Sequence, residues 1–357
     1  MIPVANPVLG EREIERVSAV IESGMLADGD EVREFEQEFA DYCGVEHGVA
    51  TSNGTTALHA ALESLGIGEG DRVLTTPFSF VATANAIRHT GAKPVFADID
   101  PATYNLDPTV AREAATKEDV DAILVVHLYG HPAEMDALTD LADDLEIPLI
   151  EDCAQAHGAT YRGDRVGSFG DVACFSFYPT KNMTTGEGGM ILTDYSEVAD
   201  RAERYVDHGR TDDGTHATVG HNFRMTNLAA AIGRAQLERL PVFLERRREN
   251  AARLTDGLSG TSLSLPTEPG YTRHTYHQYT VRVPDRRALR DHLAAHDIGS
   301  GVYYSDCIHD EPAYNDVTHD APEAEQAAAE VLSLPVHPNI SADDIDHITE
   351  VITDYAA

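Results

Sequence analysis

The chain has 357 residues, enough to bury a large core, and its length favours one large domain with a smaller one beside it. Acidic residues outnumber basic ones 61 to 26, and the formal net charge of −35 repels nucleic acid and anionic membranes over most of the surface. So large an excess, in which all but three of the basic residues are arginine, predicts a surface adapted to high salt and a salt-loving source.

The opening residues, Met1 to Pro7, give way to a charged helical pattern from Glu11 to Glu22. There is no basic leader and no long apolar run, so neither a secretory signal nor a membrane span is expected. Gly48 to Thr51 reads as a strand, and Ser52-Asn53-Gly54-Thr55-Thr56 turns it into a helix rich in alanine and leucine. Free amides at a helix start attract anions, Gly54 admits a close approach, and Thr55 and Thr56 add hydroxyl donors. The turn is therefore a candidate phosphate cradle; the plainer reading is an ordinary helix cap.

Strand-like runs follow at Val73 to Thr76 and Pro94 to Ala97, and between them Phe80 is a candidate to stack on a flat ring. Further runs stand at Ala122 to Leu128, Leu149 to Glu151, Val172 to Phe177 and Met190 to Thr193, with helical spacing over Ala133 to Leu145 and Glu197 to His208. This alternation predicts an α/β fold, with a mostly parallel central sheet and helices on both faces. Asp152 comes just after an apolar strand, where ligands of open α/β sheets gather.

Lys181 is the most informative residue. It is one of only three lysines, and it lies in Ser176-Phe177-Tyr178-Pro179-Thr180-Lys181-Asn182, a hydroxyl-rich turn after an apolar strand. Lys93 and Lys117 sit in segments that read as plain surface. An amine placed like Lys181 forms a Schiff base with an aldehyde cofactor, and pyridoxal phosphate is the obvious one. Asp152 then suits the pyridine nitrogen, which a carboxylate keeps protonated, and Ser176 offers another hydroxyl to the phosphate.

A long helix is predicted from near Thr226 toward Arg248, interrupted at Pro241. Beyond residue 256 the texture changes to a Pro/Gly-rich linker, a strand at Tyr279 to Val283 and amphipathic helices near Ala288 to His296 and Ala342 to Thr353. The expected division is a large cofactor-binding domain over 1–256 and a smaller C-terminal α+β domain over 257–357. Cys43, Cys153, Cys174 and Cys307 lack paired metal spacing, and His127 and His131 straddle Gly130 at a strand end. Reduced thiols in a cytoplasm and no metal site are expected.

The motifs Glu151-Asp152-Cys153-Ala154-Gln155-Ala156 and Ser176 to Lys181, with Gly186-Glu187-Gly188-Gly189 behind them, resemble those of the DegT/DnrJ/EryC1/StrS aminotransferases. These are fold type I pyridoxal phosphate enzymes that act mainly on nucleotide-linked keto sugars. The resemblance runs nearly end to end, through Gly24 to Gly29, Asn222 to Thr226, Tyr303-Tyr304 and Leu334 to Pro338. It implies Lys181 as the Schiff-base lysine, Asp152 on the pyridine nitrogen, Gln155 beside the ring hydroxyl and Phe80 over the ring. It further implies Thr55, Thr56 and Ser176 on the phosphate, with Asn222 reaching it from the neighbouring subunit of a homodimer with shared sites.

L-glutamate is the implied amino donor. A branch of the family with histidine in place of the lysine dehydrates sugars, and Lys181 argues against it. Arg201, Arg204, Arg210 and Arg224 are candidates for a cationic patch, and Met25 to Gly29, Tyr303, Tyr304 and His309 for the acceptor pocket. Two other readings stay open: an aminotransferase for a cyclitol or other non-nucleotide ketone, and a regulatory or binding protein without turnover. Intact Lys181 and Asp152 weigh against the second.

Overall fold

The computed structural model describes residues 1–317 and 320–356. Its first strands are β1 (His47–Thr51), β2 (Arg72–Thr75), β3 (Lys93–Phe96), β4 (Ala122–Val126), β5 (Leu149–Asp152), β6 (Thr160–Tyr161) and β7 (Asp164–Arg165). The remainder are β8 (Val172–Ser176), β9 (Gly189–Thr193), β10 (Thr272–Arg273), β11 (Tyr279–Arg282) and β12 (Val331–Leu334).

Seven of them form one sheet in the order β1-β9-β8-β5-β4-β2-β3, and only β9 runs against its neighbours. The predicted mostly parallel sheet is therefore present. Helices cover both faces, and so a strand such as β4, Ala-Ile-Leu-Val-Val, is buried at every position and needs no polar alternation. β4 is shorter than the apolar run predicts, because Leu128–Gly130 turns into a single 3₁₀ turn with Tyr129 in the left-handed region at φ 58°. β5 instead continues through Asp152, which makes that residue the last of the strand.

The helix Gly54–Ser64 packs its buried Ala57, Ala60 and Ala61 toward the sheet; small side chains let its axis come close to β8 and β9. A helix not anticipated from the sequence, Asp30–Cys43, buries Phe35 and Phe39 against Phe175 and Phe177. Asn227–Leu258 is a single helix that passes through Pro241, contrary to the predicted interruption. Its capped start, where Thr226 Oγ1 accepts the Ala229 N–H, and its packing against Glu11–Ser23, Asp30–Cys43 and Ala342–Ala356 outweigh the one backbone bond that proline removes.

Toward the C-terminus β11 pairs antiparallel with β12. Helices Arg286–Ala295 and Ala342–Ala356 pack on that pair with the last turns of Asn227–Leu258, forming a separate core that includes Leu254, Tyr279, Leu289, Leu332 and Ile348. The N-terminus joins this core, as the Ile2 N–H donates to the Asp297 carbonyl at 2.7 Å. No helix among the described residues is long and apolar enough to cross a membrane.

Candidate active site

Because β1, β5 and β8 point the same way in the sheet, their carboxyl ends share one edge, and residues distant in sequence gather there. Asp152, at the end of β5, is 5% exposed. Its Oδ2 accepts from the Thr83 hydroxyl at 2.9 Å and its Oδ1 from the Ala154 N–H at 3.2 Å. Ser79 Oγ lies 2.9 Å from Thr83 Oγ1 and fixes that hydroxyl in turn. Burial pushes the Asp152 carboxyl above its usual range, and the two hydrogen bonds and the nearby Lys181 charge oppose this without cancelling it. A buried carboxylate so placed fits a protonated ring nitrogen.

Lys181 lies in the turn after β8, with its N–H on the Tyr178 carbonyl at 2.9 Å. Burial pulls its amine down to about 8, while the charge of Asp152 opposes the fall. His157 is fully buried among Phe39, Phe175 and Phe177, with ring centroids 5.3 to 6.4 Å apart. Burial first, and then the Lys181 charge, lower its imidazole to about 3, so this neighbour stays neutral.

The start of helix Gly54–Ser64 is a reciprocal cap. The Thr56 N–H donates to Asn53 Oδ1 at 3.0 Å, and the Asn53 N–H donates to Thr56 Oγ1 at 3.1 Å. Thr56 is thereby engaged in holding the turn, and its hydroxyl also donates to the Asn53 carbonyl at 2.8 Å. Thr55 stands outside that box and is half-buried. A Cβ added at Gly54 would lie 2.7 Å from Ser176 Cβ and 3.2 Å from its Oγ. Only glycine allows the helix start and the end of β8 to come this close, and together they form a narrow, donor-rich cradle suited to a phosphate.

Gln155 is held at both ends of its amide: Oε1 accepts the Tyr129 N–H at 2.8 Å, and Nε2 donates to the Tyr304 hydroxyl at 3.1 Å. Phe80 is 54% exposed, with its ring centroid 6.0 Å from that of Tyr304, so it presents an open aromatic face and is not part of the core. Beside it Ser79, Tyr304, Ser305, Ile308 and Glu311 line a pocket of about 160 Å³. His309 is absent from this lining; it is buried near Phe96, with ring centroids 6.2 Å apart. Lys181, Asp152, Gln155, Ser176, Thr55 and Phe80 thus belong to elements that converge on one edge of the sheet.

Asn222 is exposed and pairs with Asp207 at the base of a loop. The residues after it lie against the carboxyl end of β1, where the Phe223 carbonyl accepts the Ser52 N–H at 2.6 Å and Arg224 bridges Thr51. The four arginines do not form an open cationic patch. Arg210 and Arg224 both pair with Asp207, Arg204 Nε donates to the Asp200 carbonyl at 2.9 Å, and Arg201 Nε to the Glu197 carbonyl at 3.2 Å. The groove that Arg204, Arg210 and Arg224 line, about 470 Å³, also carries Asp28, Glu36, Asp200, Glu203, Asp207 and Asp212.

Thr83, Tyr129 and His157 escaped the sequence reading, since nothing in local spacing connects Thr83 to Asp152 or Tyr129 to Gln155. Next to Asp152, Glu151 is fully buried and accepts from the N–H groups of Gly167, Phe169 and Gly170, each at 2.8 Å, and from His127 Nε2 at 3.0 Å. The Ala133 N–H donates to His127 Nδ1 at 3.0 Å, which sets the neutral tautomer with its proton toward Glu151. Every lobe of that carboxylate is occupied, so it braces the β7–β8 connection.

Residues 7–353 match the model of the DegT/DnrJ/EryC1/StrS aminotransferase family. A Geobacillus stearothermophilus protein named as a pleiotropic regulatory protein is 40% identical over 351 residues, covering 96% of this chain and 94% of that one. The UDP-N-acetyl-3-dehydro-alpha-D-glucosamine 3-aminotransferase of Acidithiobacillus ferrooxidans is 39% identical over 340 residues, 94% of this chain and 91% of its own. Among solved structures, a sugar aminotransferase assigned as putative from Streptococcus pneumoniae, Spr1654, in its PMP form superposes with a TM-score of 0.95 at 27% identity, covering 100% of this chain and 99% of that one; the same protein has also been solved in a PLP form. On the match over nearly the whole chain and the relatives that span it, this protein belongs to the DegT/DnrJ/EryC1/StrS aminotransferase family.

Proposed function

We propose that the chain is a pyridoxal phosphate-dependent aminotransferase that transfers the amino group of L-glutamate to the ketone of a nucleotide-linked sugar. The observation that carries this is the buried Asp152 in electrostatic reach of Lys181, on the sheet edge that also bears the Gly54–Ser176 cradle. Pyridoxal phosphate, when bound, supplies an aldehyde that carries the amino group between the two substrates and a ring that accepts the electrons released as C–H bonds break. Asp152 keeps the ring nitrogen protonated, Gln155 meets the ring hydroxyl, and Phe80 covers the ring face. Thr55, Ser176 and the free amides of the helix start hold the phosphate, while Thr56 keeps that start in shape.

Lys181 Nζ moves the proton. To act as a base it must be neutral, and an amine brought from 10.5 to about 8 has roughly 300 times more neutral form at pH 7. The nucleotide-sugar assignment draws on the activity that the Acidithiobacillus relative's name records. In the same reading the enzyme is a cytoplasmic homodimer adapted to high salt, in which exposed Asn222 completes the partner's phosphate site. Its large domain spans 1–256 and its small domain 257–357.

The test is direct. Purified protein should show the visible band of a lysine-bound cofactor, lose it on addition of L-glutamate, and recover it with one member of a panel of UDP-, GDP- and dTDP-linked keto sugars. Lys181→Ala should fold and show none of these changes. Protein that stays colourless in excess cofactor would support the regulatory reading that the Geobacillus relative's name raises, and recovery with a cyclitol ketone alone would replace the nucleotide-sugar assignment.

A further inference from the structure

Outside the active site, the segment after the acceptor-pocket tyrosines brings together ligand types that the sequence spacing did not associate. Cys307, His309 and Asp310 each direct one donor atom into a common space, and these atoms all lie within 4.8 Å of one another. A further carboxylate approaches His309 from a different element, outside that group of three: Glu325 Oε1, on helix Pro322–Glu330, lies 3.4 Å from His309 Nε2, and Asp310 Oδ1 lies 3.8 Å from the same nitrogen.

These spacings can be compared with a tetrahedral ion. With Zn–N and Zn–O bonds of about 2.0 to 2.2 Å and Zn–S of about 2.3 Å, ligand atoms stand roughly 3.3 to 3.6 Å apart. The Asp310–His309 separation of 3.8 Å exceeds that range by a few tenths of an ångström, and the 4.8 Å bound on the group of three leaves only side-chain adjustment to close it. Cys307 and His309 form a buried floor, while the Asp310 and Glu325 side chains are about half exposed, at 52% and 50%, which leaves an entry path for an ion from solvent. The Asp310 carboxylate is oriented from behind, because its Oδ2 accepts the Cys307 N–H at 3.3 Å while its Oδ1 turns to His309.

We propose that Cys307 Sγ, the His309 imidazole and the Asp310 carboxylate form a three-ligand structural site for a divalent ion of the zinc class, with solvent in the fourth position and the Glu325 carboxylate beside His309 as its outer partner. One thiolate, one imidazole and one carboxylate select zinc over magnesium or calcium, which take six or more oxygen ligands. The site ties the segment that carries Tyr304, Ser305, Ile308 and Glu311 to helix Pro322–Glu330. The Ile308 N–H already anchors the same segment to the Pro77 carbonyl at 2.9 Å. A bound ion therefore rigidifies the wall of the pocket beside Phe80 without touching the reacting atoms.

The experiment uses the cofactor-loaded enzyme, stripped of metal by chelator and titrated with zinc chloride. We expect one zinc per chain, a sulfur neighbour at about 2.3 Å in zinc-edge X-ray absorption, and a thermal midpoint raised by a few degrees. Cys307→Ser should remove the sulfur neighbour and weaken binding at least about tenfold, and Glu325→Gln, on an exposed face, should weaken it by about 10- to 100-fold in a protein that folds as before. Should Cys307→Ser fail to fold, the wild-type absorption spectrum and Glu325→Gln still decide. Zinc bound only through oxygen and nitrogen would mean that the acidic surface takes up the ion, and this result, or the absence of stoichiometric binding, overturns the proposal.

Discussion

Replacing Gly54 by alanine tests the proposed phosphate cradle at its narrowest point. The added methyl would stand 2.7 Å from Ser176 Cβ and 3.3 Å from its Cα, whereas carbon atoms pack best at about 3.5 to 4.0 Å. The helix start must therefore retreat from β8 by about 1 Å, which relieves overpacking strain that would otherwise cost about 1 to 3 kcal/mol and displaces the cradle's donors. Gly54 has ordinary helical geometry and no positive φ, so alanine adds no backbone strain and even favours the helix.

The cost should consequently fall on ligand binding and hardly at all on folding. At about 1.4 kcal/mol per tenfold, cofactor affinity should drop roughly 10- to 100-fold, while the thermal midpoint of the cofactor-free protein moves little. The assay is a titration of cofactor-free protein with pyridoxal phosphate, followed by visible absorbance. Ser176→Gly removes the opposing Cβ, so Gly54→Ala should cost much less in that background, a coupling that a double-mutant cycle measures. Wild-type affinity in Gly54→Ala, or equal losses in both backgrounds, would refute the reasoning.

Asp152→Asn is nearly isosteric but lacks the charge that keeps a ring nitrogen protonated; cofactor should be retained and turnover should fall by at least about a hundredfold, and unchanged turnover would assign that nitrogen to another group. Lys181→Ala mixed with Asn222→Ala should regain part of the activity that each lacks, since a mixed dimer rebuilds one complete site; no recovery after subunit exchange in molar salt would count against shared sites. Glu36, buried beside β1, has its carboxyl raised to about 7 by burial, against the pull of Arg33 and of the Ala50 N–H. The folded protein then keeps a proton that the unfolded chain releases near 4.5, so raising pH through the window from 4.5 to 7 destabilises the fold. Glu36→Gln should flatten that slope in urea unfolding, and identical profiles for the two proteins would show that Glu36 does not titrate there.

How much of the site was legible in the sequence depended on the physics behind each part. The positions of the candidate residues Lys181 and Asp152 and of the Gly54-Thr55-Thr56 turn at strand ends were readable because apolar periodicity locates strand ends. The parallel sheet followed from alternation, since strands buried on both faces must read as apolar runs. Local rules failed where distant packing prevailed: Pro241 lies inside an unbroken helix because three other helices hold that helix in place.

Tertiary structure alone decided which side chains share a neighbour. Thr83 reaches Asp152 and Tyr304 reaches Gln155 across gaps in sequence that carry no pattern. It divided the two threonines of the turn, giving Thr56 to the cap and leaving Thr55 outside it. It also turned His309 away from the pocket and toward Cys307 and Glu325. Periodicity and turn chemistry act over a few residues and are written in the order of the chain, whereas hydrogen bonds, charge proximity and ligand geometry act through space and exist only once the sheet has set its strands side by side.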